Sequence, residues 1–155
     1  MDNTGKEKIE AIFLDMPEMI EAQWNMKVFS KMSKLRLLKI NNVQLSEGPE
    51  DLSNMLRFLE WHFYPSKSLP AGLQSAVKLE SIDLSNSLSL VRTPNFTGIP
   101  NLKRLILEGC TNLYEVQSSL GHHKKLQYMN LVSYRNVTTL PNNLEMESLE
   151  VFSID

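Results

Sequence analysis

The chain has 155 residues, 42% of them hydrophobic and 22% charged, which is enough apolar material for one core of ordinary domain size. A net charge of -2 argues against a generic electrostatic footprint for nucleic acid or for an anionic membrane. The single cysteine, Cys110, excludes an intrachain disulfide and fits a reducing compartment, and neither a signal peptide nor a membrane-length apolar run is found.

A row of the form L-x-x-L-x-L recurs along the chain. In order, the rows are Ile9-x-x-Ile12-x-Leu14, Leu35-x-x-Leu38-x-Ile40, Leu56-x-x-Leu59-x-Trp61, Leu79-x-x-Ile82-x-Leu84, Leu102-x-x-Leu105-x-Leu107, Leu126-x-x-Met129-x-Leu131 and Leu149-x-x-Phe152-x-Ile154. The starts near 9, 35, 56, 79, 102, 126 and 149 are 21 to 26 residues apart. Residues two apart on a strand share a face, so each row sends two apolar side chains into a core. One such unit cannot bury its apolar edge alone, whereas stacked copies form a continuous core. The period is that of leucine-rich repeats, and it predicts an α/β solenoid spanning residues 1–155 with a short parallel concave sheet of about seven strands.

The connections follow from the residues between rows. Met26, Phe29, Met32 and Leu35 are spaced by three and predict one or two helical turns in the first link. Ser46 to Leu52 reads as a polar turn. Later links carry Pro65, Pro70, Pro94, Pro100 and Pro141, which predict irregular or 3-10 convex segments, with Leu90, Leu113 and Val137 as second apolar anchors. The chain starts eight residues before the first row and stops one residue past the last strand anchor, so both ends read as cut from a longer protein.

The opening Asn3-Thr4-Gly5-Lys6-Glu7-Lys8-Ile9-Glu10-Ala11-Ile12-Phe13-Leu14-Asp15 resembles the repeat region of plant intracellular immune receptors of the TIR–NB–LRR class. So do Phe29-Ser30-Lys31-Met32, Leu56-Arg57-Phe58-Leu59-Glu60-Trp61 and Tyr64-Pro65-Ser66-Lys67-Ser68-Leu69-Pro70. Thr93-Pro94-Asn95-Phe96-Thr97-Gly98-Ile99-Pro100-Asn101-Leu102 and Leu107-Glu108-Gly109-Cys110 are especially typical. The resemblance implies a non-catalytic repeat region, cytoplasmic or nuclear, that senses a pathogen effector or a guarded host protein. It also implies autoinhibition exerted on the TIR and nucleotide-binding domains of the parent receptor. Two departures stand out. A repeat that the family carries after Leu69-Pro70-x-x-Leu73 is absent, and Gln74 runs directly toward Leu79. The position held by Cys110 is Val43, Tyr64, Ser87 and Tyr134 in other rows, so no unbroken polar ladder can form and a regular curve is not assured.

Signatures of chemistry are weak. Gly5-Lys6 lacks the upstream glycine and following Ser or Thr of a phosphate-binding loop. No nucleophile elbow or oriented triad occurs. Cys110 is expected as a small buried residue whose thiol meets a backbone carbonyl. His122-His123-Lys124-Lys125 is expected as a solvated convex turn, because adjacent histidines diverge and no further ligand sits at metal spacing. Asn95-Phe96-Thr97 and Asn136-Val137-Thr138 are glycosylation sequons. They leave open a piece of an extracellular receptor, beside a truncated structural or decoy fragment without its own ligand.

The remaining candidate surface is the outward side of the rows. It comprises Ala11, Phe13 and Asp15, then Leu37, Lys39 and Asn41; Phe58, Glu60 and His62; Ser81, Asp83 and Ser85; Arg104, Ile106 and Glu108; and Tyr128, Asn130 and Val132. Its mixture of both charge signs, amides and aromatics suits a protein partner, not nucleic acid or membrane. No cofactor or metal is implied.

Overall fold

A computed structural model describes residues 5–155, apart from the side chain of Val137. Asn3 and Thr4 of the opening motif, and the Val137 anchor, therefore lie outside the described residues.

Among the described residues seven strands form one sheet: β1 Ala11–Ala22, β2 Leu37–Leu45, β3 Phe58–Trp61, β4 Ser81–Asp83, β5 Arg104–Ile106, β6 Tyr128–Asn130 and β7 Val151–Ser153. Strand order in space is strand order in sequence, and every pairing is parallel. Ile12, Leu38, Leu59, Ile82, Leu105, Met129 and Phe152 share one register line. Five of these seven are at most 2% exposed. Ile12 and Phe152 belong to the outer strands, have one neighbour each, and are more open.

The third apolar residue of each row lies behind this line, with Ile40, Trp61, Leu84, Leu107 and Leu131 all buried. The first residue of rows two to six, Leu35, Leu56, Leu79, Leu102 and Leu126, is 0% exposed in each case. The solenoid with about seven parallel strands is thus the observed fold. Trp61 faces inward, edge-on to Tyr64 at 5.2 Å between ring centres and tilted against Phe29 at 5.8 Å.

The convex side is built of 3-10 turns, at Met26–Lys31, Ala71–Ser75, Phe96–Gly98, Ser118–His122 and Val137–Thr139. Met26 and Phe29 in the first, with Met32 at its end and Leu35 beyond, are all buried, and Asn25 caps it by accepting from the Lys27 N–H at 3.1 Å. Their spacing of three matches the three residues per turn of this helix. Gly98 marks a close approach, since a Cβ there would lie 1.6 Å from the Gln74 carbonyl oxygen.

The first two strands depart from expectation. β1 has 12 residues and β2 has 9, where short rows were expected. Past Leu14 the pairing slips between Asp15 and Ile20, then resumes as Ile20↔Val43, Glu21↔Gln44 and Ala22↔Leu45. Pro17 lies inside the slip, where a missing N–H removes no ladder bond. The Asn42 side-chain amide donates to the Met16 carbonyl at 2.8 Å and secures it.

A second periodicity escaped the sequence. Asn42, Phe63, Asn86, Gly109 and Ser133 have φ of 56°, 59°, 60°, 71° and 67°. Each immediately precedes a ladder residue, Val43, Tyr64, Ser87, Cys110 or Tyr134, and every one of these is at most 2% exposed. The left-handed residue turns the chain off the concave face so that the next side chain drops into the core. Asn and Gly tolerate this conformation, whereas Phe63 holds it at a cost of roughly 1–2 kcal/mol. The polar ladder is broken, as expected. Its surviving links are Cys110 donating to the Leu84 carbonyl at 3.1 Å and Ser87 accepting from the Tyr64 N–H at 2.9 Å. Register nonetheless stays unshifted from β2 to β7, because the apolar ladder residues fill the same position by burial. Burial pushes the Cys110 thiol up to about 11, so it remains protonated at neutral pH.

The expectation of a solvated His122-His123 turn is corrected for His123. Its imidazole is 4% exposed and edge-on to Phe96. Nε2 faces the Ile99 carbonyl at 3.0 Å, and Nδ1 accepts from the Leu126 N–H at 3.2 Å. Two backbone partners on either side of one ring pin successive repeats together, a role that depends on the fold and not on adjacent residues. His122 is exposed, as expected.

Leu105 is 1% exposed at the middle of the central register line. Leu105→Ala is expected to lower unfolding stability by about 2–5 kcal/mol in urea titration, as core truncations of this kind do. A loss under about 1 kcal/mol would mean that the stack closes over the void.

Candidate functional site

The outward side chains of the sheet fall into rows set by the register. The first is Ala11, Leu37, Phe58, Ser81, Arg104, Tyr128 and Val151. The second is Phe13, Lys39, Glu60, Asp83, Ile106, Asn130 and Ser153. Asp15 pairs Asn41 beyond them, and His62, Ser85, Glu108 and Val132 lie in the turns just past their strands. All fourteen candidate residues from Lys39 to Val132 therefore lie on this one face or at its rim.

Toward β1 the face carries a charged chain. Lys39 Nζ lies 2.9 Å from Asp15 and 3.7 Å from Glu60. His62 Nε2 lies 3.8 Å from Glu60 and 3.4 Å from Asp83, ion-pair distances that lack hydrogen-bond alignment. Asn41 donates to Glu60 at 2.6 Å, and the Ser85 hydroxyl donates to Asp83 at 2.6 Å. Register brings the strands of this set together, since spacings of roughly 4.7–4.9 Å let long side chains from neighbouring repeats reach one another.

The charges shift one another. The Asp83 carboxylate, its nearest partner, raises His62 above its ordinary value, and Glu60 adds to this against partial burial and Lys39. Burial pushes Asp83 upward, but His62 and Ser85 more than offset it and hold the carboxyl below its ordinary value. Lys39 is raised by its bond to Asp15 and by Glu60.

Toward β6 the face is different. The Arg104 guanidinium stacks over the Tyr128 ring at 4.2 Å. Asn130 donates to Glu108 at 3.1 Å and accepts from the Val132 N–H at 2.9 Å. Phe13 is 64% and Phe58 44% exposed, so the β1–β3 half also shows apolar surface.

Four candidates are not open surface. Asn41, Ser85, Ile106 and Asn130 are 8 or 9% exposed. Their backbone positions belong to the outward side of the rows, but their side chains are buried among their neighbours. Asn41, Ser85 and Asn130 position Glu60, Asp83 and Glu108, and all four offer a partner little area of their own. Sequence alternation gives direction and not cover, because cover comes from the neighbouring strands.

A cleft of about 420 Å³ lies elsewhere, at the far ends of β1 and β2 between Glu21–Gln23 and Gln44–Ser46. Among the described residues no cluster of three His, Cys, Asp or Glu side chains forms a metal-binding group, and no helix is long and apolar enough to cross a membrane.

The chain is similar to disease resistance protein RPP2A of Arabidopsis thaliana, at 28% identity over 99% of this chain and 14% of that protein. It is similar to disease resistance protein RPS6 of Arabidopsis thaliana, at 30% identity over 80% of this chain and 14% of that protein. It is likewise similar to TMV resistance protein N of Nicotiana glutinosa, at 28% identity over 99% of this chain and 15% of that protein. The chain thus spans about one seventh of the length of these relatives. No family model and no solved structure matches it.

The raised His62 gives a pH signature. Its stabilising contribution is complete below the ordinary value of about 6.5 and is lost as pH rises through the raised folded value. His62→Gln is expected to cost under about 1 kcal/mol near pH 6 and less as pH is raised to about 9, measured by thermal unfolding across that range. A cost that does not change with pH would remove the charge interaction as its cause.

Proposed function

The chain is a leucine-rich-repeat segment related to plant TIR–NB–LRR disease resistance proteins, and from that premise we propose that it is their non-catalytic recognition surface. In this role the concave face contacts a pathogen effector or a guarded host protein, in the cytoplasm or nucleus. It also contributes to holding TIR and nucleotide-binding domains of the same receptor inactive. The observation that carries this is the composition of the face, where an ion network toward β1 gives way to an Arg104–Tyr128 stack and a Glu108–Asn130 pair toward β6. Arginine and tyrosine are the side chains that most often anchor protein interfaces.

The reading of one repeat as absent after Leu73 is compatible with the length of the match to a relative. The match to RPP2A runs over 183 residues against a chain of 155, so the alignment holds more than one repeat's length of gap. The sheet passes from β3 to β4 without a shift, as loss of a whole unit allows, since each unit contacts only its neighbours.

Replacing Arg104, Glu108 and Tyr128 together with alanine in the full-length receptor tests this role. All three are accessible at the surface, so the fold is expected to hold. Partner affinity is expected to fall by tenfold or more, which corresponds to about 1.4 kcal/mol, and the immune response with it. Unchanged partner binding and an unchanged response would sink the concave-face reading.

A further inference from the structure

A second charged surface lies off the concave face. The residue after each pre-strand leucine of rows two to seven forms a row along the lateral edge of the sheet, running Arg36, Arg57, Glu80, Lys103, Gln127 and Glu150. Each donates its backbone N–H to the carbonyl of the one before at 2.8 Å, from Arg57 onward. The residue before each leucine forms a second row, in which Lys78, Asn101 and Lys125 are consecutive. Where the rows run side by side they line a cleft of about 270 Å³, walled by Arg57, Lys78, Glu80, Asn101, Lys103 and Lys125. Four cations thus meet one carboxylate, in a chain whose net charge is -2.

The cations are not equivalent. Lys103 Nζ pairs with Glu80 at 3.3 Å. Lys125 Nζ donates to Asn101 Oδ1 at 2.6 Å, and Asn101 Nδ2 donates to the Val77 carbonyl at 2.6 Å, so the carboxamide steers that ammonium. Arg57 and Lys78 have no carboxylate within 4.0 Å among the described residues. The patch also ends abruptly. On the β2 side Arg36 is paired with Glu10 at 3.8 Å, and on the β6 side the row continues as Gln127 and Glu150.

We infer that this lateral cleft is a binding site for a small phosphate-bearing molecule. Three lysines and a planar guanidinium lining one cleft suit a compact, multiply charged anion. The pairing of Arg36 with Glu10 on one side, and Gln127 and Glu150 on the other, argue against a long polyanion, which would ask for a continuing basic stripe. The site does not depend on the concave-face reading, because it shares none of the residues assigned to partner recognition.

Inorganic pyrophosphate tests it. Amide and side-chain NMR signals of the 155-residue chain would be followed during titration at low salt, against sodium chloride of matched ionic strength. Saturable shifts are expected at Arg57, Lys78, Lys103 and Lys125, weakening as salt rises. The double variant Arg57→Gln, Lys78→Gln is expected to bind about tenfold or more weakly. Lys27→Gln, on the convex side, is expected to bind as the native chain does. Shifts that do not saturate, equal binding by the double variant, or binding only to a glutamate-rich peptide or to phosphoinositide vesicles would each overturn the proposal.

Discussion

The whole structure rests on an unshifted parallel ladder. A parallel sheet can pass through successive repeats only if each link returns the chain to the same height. The buried leucine ahead of each of β2 to β6 does this, together with the backbone bond that follows it, as in Glu80 to Arg57 and Lys103 to Glu80. Links of different length and composition are tolerated because their irregularity is absorbed on the convex side, by 3-10 turns and a few buried anchors.

The same ladder dictates what the outward face can be. Register sets Lys39 beside Glu60 and Glu60 beside Asp83, and the long side chains of Lys39 and His62 then reach diagonally to Asp15 and Asp83. The network is therefore a property of register and not of any single repeat. Short side chains in such a row become supports: Ser85 serves Asp83, and Asn41 serves Glu60. Longer ones, such as Arg104 and Phe58, keep surface to offer.

Much of this was legible in the sequence, for a physical reason. Row positions, strand number, inward Trp61, buried Cys110 and the 3-10 turn at Met26–Lys31 all follow from spacing within one repeat. What was not legible needs two or more repeats at once. His123 looks like surface in its local run, and is buried because Phe96, Ile99 and Leu126 close around it. The length of β1 depends on Asn42 reaching Met16 across the slip. The left-handed series was hidden by Phe63 and Ser133, residues that rarely advertise that conformation. The burial of Asn41, Ser85, Ile106 and Asn130 depends on how the repeats stack, which alternation within one row does not convey. For the relatives too, resemblance located the family but not the occupants of the face.

The identity of sequence order and strand order also has a bearing on how the molecule is made. Each strand docks on the one synthesised about two dozen residues earlier, as Ile82 does on Leu59 and Leu105 on Ile82. No segment must wait for a distant partner, and loop closure of this length costs nearly the same at each step. A chain of this kind can add its repeats one after another as they emerge, with β1 and β2, which share the longest pairing, as the natural place to begin.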